Sequence, residues 1–399
     1  MRKVYADNSA TSFPKAPGVS DAVKDFLDNN GCNVNRGGYS DAYETALEIL
    51  ETRQMLAGLF HAAGPQEVIF TPSVTYSLNM LLRGFLRKGD HVITTSMEHN
   101  AVMRPLHALV QEGVAYDAVP CAKDGSLNAD DILPFIGQNT KAVVMLHASN
   151  VCGTVLPVSD VAEICRKNKL RLIVDAAQTA GLLEINVQGI DALAFTGHKG
   201  LLAPQGLGGF VVKEEFAAEV KPIIMGGTGS FSHEIVQPEL LPDKFESGTM
   251  NIPAIIGLKK ALEYLKTTGI KNIREKEMLL SNAFISEMLG VDGVRIVSRP
   301  AGSDGYGRLD DRSENNMISV VSLDFPGRDN ASVAAALDSD YGIMTRCGLH
   351  CAPGAHKTLG TYPYGTVRFS FGHQNTIDEV DYIVRSIREI IKNGAGYGL

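Results

Sequence analysis

Leu170-Arg171-Leu172-Ile173-Val174-Asp175-Ala176-Ala177-Gln178 and Ala192-Leu193-Ala194-Phe195-Thr196-Gly197-His198-Lys199 are built alike: each is an apolar run of strand length that stops at polar, chemically capable side chains. Such runs, alternating with amphipathic stretches, are the pattern of βα units feeding a mostly parallel sheet. The pattern holds from about Phe70 to Val212. His91-Val92-Ile93-Thr94 and Ala142-Val143-Val144-Met145-Leu146 read as further strands, and Glu67-Val68-Ile69-Phe70 as another. After that last run and the turn at Thr71-Pro72-Ser73, Val74, Leu78, Leu81, Leu82 and Phe85 recur at helical spacing as far as Lys88-Gly89. In open α/β sheets ligands lie beyond the carboxyl ends of the strands. Glu98-His99, Asp175 with Gln178, and Thr196 with His198 and Lys199 are therefore expected to converge on one edge of the sheet.

Around Pro253 the texture changes. Leu258, Ala261, Leu262 and Leu265 outline a helix, and later strands are spaced by longer helical stretches, the mark of a second, smaller domain. Its last helix is announced by Thr376 with Glu379 three residues on, a capping box, followed by an apolar face of Ile377, Val380, Ile383, Val384, Ile387 and Ile390. Between Arg299 and Asn316 the chain is Gly, Ser, Asp, Asn and Arg with little to bury, and it reads as an exposed loop.

The whole chain bounds what these elements serve. It has 399 residues, 44% of them hydrophobic, enough for two or three folded domains and too apolar for intrinsic disorder. Lys and Arg number 37 against 45 Asp and Glu, a net charge of −8 with no basic run, which argues against nucleic acid and favours a small soluble substrate. Apolar stretches such as Ala142 to Leu146 fall far short of the roughly 18 to 20 residues that cross a bilayer, and the chain start has no apolar signal region. Six cysteines are too sparse for a disulfide scaffold. The expectation is a cytoplasmic protein in which any special cysteine is reactive rather than structural.

An acid, an amide, two histidines and an amine on one sheet edge suit pyridoxal phosphate, which needs a Lys for its Schiff base and an acid beside its pyridine nitrogen. Thr75, near the start of its helix, offers the phosphate a hydroxyl and free N–H groups at the positive end of the helix dipole. Dinucleotide and Walker readings fail, because Gly206-Leu207-Gly208-Gly209 lacks the required spacing and Lys199 is followed by Gly200. No metal set is expected: Cys347-x2-His350-Cys351-x4-His356 matches no closed zinc pattern. Cys347 itself reads as a spectator, with a resolving thiol as the alternative, while Cys32, Cys121, Cys152 and Cys165 read as small buried thiols.

Asp175-x-x-Gln178 followed by Thr196-x-His198-Lys199 resembles the signature of class V aminotransferases. Tyr5-x-Asp7-Asn8-x-Ala10-Thr11, Glu98-His99-Asn100, Ser149-Asn150-x-x-Gly153, Glu246-x-Gly248-Thr249, Arg346-x-Gly348-x-His350-Cys351 and Val367-Arg368-x-Ser370 are similar, in order and spacing, to the cysteine desulfurases. The resemblance runs from residue 5 to about 372. It departs at Leu349, where many relatives carry a second histidine, and at Thr196, where many carry Ser.

The resemblance implies a fold-type I α/β transferase. Its large pyridoxal-phosphate domain would span residues 13–254, and residues 1–12 and 255–399 would form a smaller α+β domain. It implies that Lys199 carries the cofactor and moves the Cα proton, that Asp175 pairs with the pyridinium nitrogen, and that His99 stacks on the ring. Gln178 and Asn150 would bond the phenolic oxygen side or the substrate. Val74, Thr75, Thr196 and His198 would hold the cofactor and its phosphate, and Thr249 would reach the phosphate of a neighbouring subunit, so that a homodimer shares the site. Arg368 would grip the substrate's α-carboxylate, with Arg346 also on the substrate side. Cys351 would attack the sulfur of L-cysteine, its thiolate favoured by Arg346, His350 and His356. Alanine and a persulfide for iron–sulfur cluster or thio-cofactor assembly would result, passed to a sulfur-acceptor protein for which the 299–316 loop is a possible dock. The rivals on the same residues are a selenocysteine lyase taking L-selenocysteine, and a class V aminotransferase acting on a small amino acid, which would not need Cys351.

Overall fold

In the computed structural model, the described residues are 2–34, 37–297 and 316–393. The loop read between Arg299 and Asn316 lies almost wholly outside them. After the short strand β1 (Val4–Tyr5) come β2 (Val68–Thr71), β3 (His91–Thr95), β4 (Ala115–Val119), β5 (Thr140–Leu146), β6 (Arg171–Asp175), β7 (Ala192–Thr196) and β8 (Gly208–Val212). These last seven form one sheet in the order β2-β8-β7-β6-β5-β3-β4. Within it β8 alone runs against its neighbours, and the other pairs are parallel.

A parallel sheet covered on both faces buries both sides of each strand, which is why these strands read as continuous apolar runs rather than alternating ones. The period of two still sorts the side chains. Ala142, Val144, Ile173 and Ala194 pack with Leu78, Leu81, Val102 and Leu106 of helices Val74–Phe85 and Asn100–Val110. Val143, Met145, Leu172, Val174 and Leu193 face the other way, into a cluster with Ile49, Ile164 and Leu258. The first of those helices starts where its sequence says, since Ser73 caps it by accepting from the Tyr76 N–H. It ends at Phe85, three residues before Lys88-Gly89, because Leu86 is already extended.

The second assembly is antiparallel. The strands β9 (Arg295–Ile296), β10 (Val320–Asp324), β12 (Arg346–Gly348) and β13 (Thr366–Ser370) make a sheet in the order β12-β13-β10-β9, while β11 (Ile343–Met344) pairs in parallel with β1. Its core joins Val4 and Ala6 from the chain start to Phe284, Val321, Phe369 and Val380, with Phe284 set against Phe369 and Phe371 at centroid distances of 4.8 and 5.5 Å. The closing helix Ile377–Lys392 has both bonds of the capping box, Thr376 to the Glu379 N–H and Glu379 to the Thr376 N–H. Where β12 meets β13, Gly365 (φ 76°) must be glycine: a Cβ there would sit 2.2 Å from the Gly348 carbonyl. No described helix is long and apolar enough to cross a membrane.

Candidate active site

The carboxyl ends of β3, β5, β6 and β7 deliver their polar residues to one recess, lined by Val74, His99, Asn150, Asp175, Gln178 and Lys199 among others. Lys199 follows the end of β7 by three residues, and Asp175 is the last residue of β6, in register with Leu146 of β5 and Ala194 of β7. His99 caps helix Asn100–Val110, its Nδ1 accepting from the Ala101 N–H at 3.0 Å. That bond leaves the ring proton on Nε2. Thr196 and His198 precede Lys199, and Thr196 Oγ1 and His198 Nδ1 are buried with no partner among the described residues. Asn150 Oδ1 is orphaned in the same way, while its amide donates to the His350 carbonyl at 2.8 Å.

The charges here are set by burial. Desolvation lowers the Lys199 amine to about 8, with Arg368 and Arg346 pushing the same way and Asp175 and Asp7 opposing. Burial raises the Asp175 carboxyl, against the Ala177 N–H that donates to its Oδ1 and the nearby Lys199. Burial, then Lys199, Arg104 and Arg368, lower His99 to about 4, so its ring is neutral at physiological pH. Glu98 belongs to the scaffold. It is fully buried, accepts from Thr95 Oγ1 and the Leu146 N–H, and so ties the end of β3 to β5.

Cys351 stands exposed beside this recess. His350 and Cys351 both adopt positive φ, 48° and 57°, and the Cys351 carbonyl accepts from the Asn100 N–H at 2.7 Å, next to His99. Left-handed backbone at two consecutive non-glycine residues costs on the order of 1 kcal/mol each, held here by the surrounding bonds. The expectation that His350 and His356 favour a thiolate needs correction. Both are buried, and burial depresses both, His356 to about 4 and His350 further, with Arg368 and each other's proximity adding to the latter. His350 Nε2 lies 3.1 Å from Thr366 Oγ1, which donates on to Ser322 Oγ, and Ser322 donates to the Val151 carbonyl. A chain of that direction makes Nε2 of His350 a donor, and burial keeps both rings neutral, so neither histidine brings positive charge to Cys351. Cys347 pairs with Val367 and packs toward the small-sheet core, on the face of β12 opposite Arg346.

Arg368 is buried on β13. Its Nη1 donates to the Asn150 carbonyl at 3.0 Å, and Nη2 to Asp7 Oδ1 at 2.8 Å. The half-exposed Arg346 donates from Nε to Asp7 Oδ2 at 3.1 Å. Sequence reading missed Asp7 as a site residue. The only signal was its place in the Tyr5-x-Asp7-Asn8 motif. Gln178 lines the recess, yet its amide donates to the Ser9 carbonyl at 3.1 Å. Thr75 is exposed at the start of its helix, where Gly208 allows β8 to approach closely: a Cβ there would lie 2.9 Å from Val74 N. Thr249 is not brought to the recess. It is exposed and lines a separate cavity with Tyr76, Phe245 and Met250. Glu246, from the same motif, is a buried strut, paired through both carboxylate oxygens with Arg53.

Residues 4–383 match the model of the family described as Aminotransferase class-V. The chain belongs to the class V aminotransferases. Among the relatives of this class V aminotransferase are a probable cysteine desulfurase of Methanothermobacter thermautotrophicus, 30% identical over 98% of this chain and 95% of the relative, and one of Halobacterium salinarum, 33% identical over 97% and 91%. The apo structure of a cysteine desulfurase from Thermococcus onnurineus superposes with a TM-score of 0.87 at 30% identity, covering 98% of this chain and 95% of that one. The S-sulfonic acid form of the Escherichia coli cysteine desulfurase CsdA gives a TM-score of 0.85 at 27% identity, with the same coverage.

Proposed function

We propose that this class V aminotransferase is a pyridoxal-phosphate-dependent cysteine desulfurase that moves sulfur from L-cysteine to Cys351 and releases L-alanine. The residues fit the cofactor. Thr196 Oγ1 and His198 Nδ1, buried and unpartnered among the described residues, suit the phosphate together with the N–H groups at Val74 and Thr75. Asp175 suits a protonated ring nitrogen, His99 a ring face, and Lys199 the aldehyde. When bound, pyridoxal phosphate supplies an electron sink for the bond changes at the substrate's Cα and Cβ.

The chain's own residues do the rest. Arg368 holds the α-carboxylate. Lys199, with its amine lowered to about 8, is partly neutral at physiological pH and takes and returns the Cα proton at Nζ. His99, neutral and fixed by the Ala101 N–H, packs against the bound ring without adding charge. The Cys351 thiolate forms a bond to the substrate sulfur as the Cβ–S bond breaks; the electron pair goes to Cβ, which a proton then converts to the methyl of alanine.

The observation that carries this reading is the placement of an exposed cysteine beside the lysine–aspartate recess by strained backbone at His350 and Cys351. Transamination itself has no use for that cysteine. The test incubates the purified, cofactor-loaded protein with L-cysteine and no reductant, assays alanine, and maps added sulfur by peptide mass spectrometry. Alanine with one extra sulfur on Cys351 is expected. Sulfur on another cysteine, or a keto acid in place of alanine, overturns the reading, and Cys351→Ser should abolish the modification.

The exposed apolar residues Ile224, Met225, Ile235, Val236 and Leu240, in the segment that precedes Thr249, suit a homodimer in which Thr249 serves the partner's site. Delivery of the persulfide sulfur to an acceptor protein, for iron–sulfur clusters or thio-cofactors, follows from the same chemistry.

A further inference from the structure

We infer that Lys15 is a positioning residue for Lys199: from the segment that follows β1 it pins the peptide joining His198 to Lys199 and so aims the Lys199 amine. The inference rests on the reading of Lys199 as the group that moves the Cα proton.

The His198 carbonyl is crowded. Its oxygen has four donors within 3.1 Å: the Ser12 N–H at 2.9 Å, Lys15 Nζ at 3.0 Å, and the hydroxyls of Thr11 and Ser12 at 3.1 Å. A carbonyl oxygen has two lone pairs. Lys15 Nζ also lies 3.1 Å from Thr11 Oγ1 and 3.2 Å from Ser12 Oγ, so its three N–H groups meet three acceptors and both hydroxyls accept from it. The Ser12 N–H and the ammonium are then the two donors to His198, and the charged one makes the stronger bond. Lys15 has no carboxylate partner among the described residues, whereas the buried Lys244 keeps Glu239 at 2.6 Å. Burial accordingly lowers the Lys15 amine to about 8. A half-buried cation held by neutral oxygens alone is costly, and what it holds is the turn that carries Lys199.

The same segment grips that turn again. The Ala16 N–H donates to the Leu202 carbonyl at 3.2 Å, and Leu202, at φ 57°, turns its own N–H to the Lys199 carbonyl at 2.8 Å. Lys199 is thus held through the carbonyls on both sides of its Cα. The other end of the segment is anchored on β13, where the Asn8 N–H donates to the Ser370 carbonyl at 3.2 Å and the Ser9 N–H to Ser370 Oγ at 2.8 Å. Lys15 therefore braces the turn from a support tied to the second sheet. Fixing the backbone matters because a reacting group displaced by about 1 Å loses on the order of 100-fold in rate.

The test compares wild type with Lys15→Met, which keeps the stem and removes the ammonium, and Lys15→Arg, which keeps the charge and the donors. Amide hydrogen exchange of the cofactor-free protein, read by mass spectrometry, should quicken by about tenfold in the peptide holding residues 197–203 of Lys15→Met, and Lys15→Arg should restore it. In the pyridoxal-phosphate-loaded protein, Lys15→Met should lower kcat for alanine release by about tenfold with KM for L-cysteine within about twofold. With α-deuterated L-cysteine, its isotope effect on kcat should be at least as large as that of wild type. Unchanged exchange in that peptide, a loss carried by KM, or a smaller isotope effect overturns the inference. A loss of rate that vanishes when divided by bound cofactor marks a merely structural role and overturns it as well. Should Lys15→Met fold poorly, Thr11→Val, which removes one acceptor of the ammonium, should quicken exchange in the same peptide, and no change there overturns the inference. If Lys199→Ala releases alanine as wild type does, the reading of Lys199 fails first and takes the inference with it.

Discussion

Replacing Glu246 by Ala should destabilise the protein by about 3–5 kcal/mol, the usual cost of removing one partner of a buried ion pair. The structure sets that scale. The side chains of Arg53 and Glu246 are only 7% and 5% exposed, both carboxylate oxygens accept from the guanidinium, and Glu246 Oε1 also accepts from the Phe70 N–H at 2.6 Å. Without the carboxylate, Arg53 is a buried cation over the Phe70 ring, 4.5 Å from its centroid, with only the Val68 carbonyl and the Met250 sulfur as acceptors among the described residues. At about 2 cal/mol/K of unfolding entropy per residue, a chain of this length loses roughly 4–6 °C of melting temperature. Calorimetric and circular-dichroism melts of wild type, Glu246→Ala, Arg53→Met and the double variant read this directly. Because Arg53→Met removes the stranded charge, the double variant should lose clearly less than the two single losses added together. A single variant within about 1 °C of wild type, or strictly additive losses, would refute the claim that this pair fastens the segment before Thr249 to β2.

Arg368→Lys replaces a planar fork by one ammonium that cannot serve Asn150, Asp7 and a substrate carboxylate together; its KM for L-cysteine should rise by about tenfold or more with a smaller change in kcat, measured by steady-state alanine release. Cys347→Ser, pointing into the small-sheet core, should leave persulfide formation on Cys351 intact by peptide mass spectrometry. Glu277 is buried, and burial raises it to about 8. Ser319 Oγ lies 2.9 Å from its Oε2 and 3.0 Å from the Phe371 carbonyl, and one hydroxyl hydrogen cannot serve both, so a protonated Glu277 donating to Ser319 satisfies the set. The folded state thus keeps a proton that the unfolded chain loses near its ordinary value, and this group's contribution to stability falls as pH rises from about 4.5 to about 8. Melts across that range should show a shallower fall for Glu277→Gln, and an unchanged slope would disprove the assignment.

The strands and helices around the recess could be read directly from the chain because their signals are local. Apolar runs such as Leu172-Ile173-Val174 need only the next residue's direction, and the Thr376–Glu379 capping box closes within one helical turn. The convergence of His99, Asp175 and Lys199 was legible for a related reason, since parallel βα units deliver strand ends to one edge whatever the loops between them. Glu98 shows the limit of that rule. It follows its strand like the others, but burial turns it into a brace between β3 and β5.

What only the folded chain decided lies in contacts between distant segments. Asp7 meets Arg368 across 361 positions and Arg346 across 339, a meeting set by the parallel pairing of β1 with β11 and the bridge from Asp7 to Ser370. Likewise, neither histidine near Cys351 betrays its neutrality in the sequence, because that follows from the protein packed around it. Sequence alone determined which strand-end groups reach the recess, through periodicities a few residues long. Tertiary structure decided their charge and their partners, because desolvation and long-range pairing exist only once the two sheets are assembled.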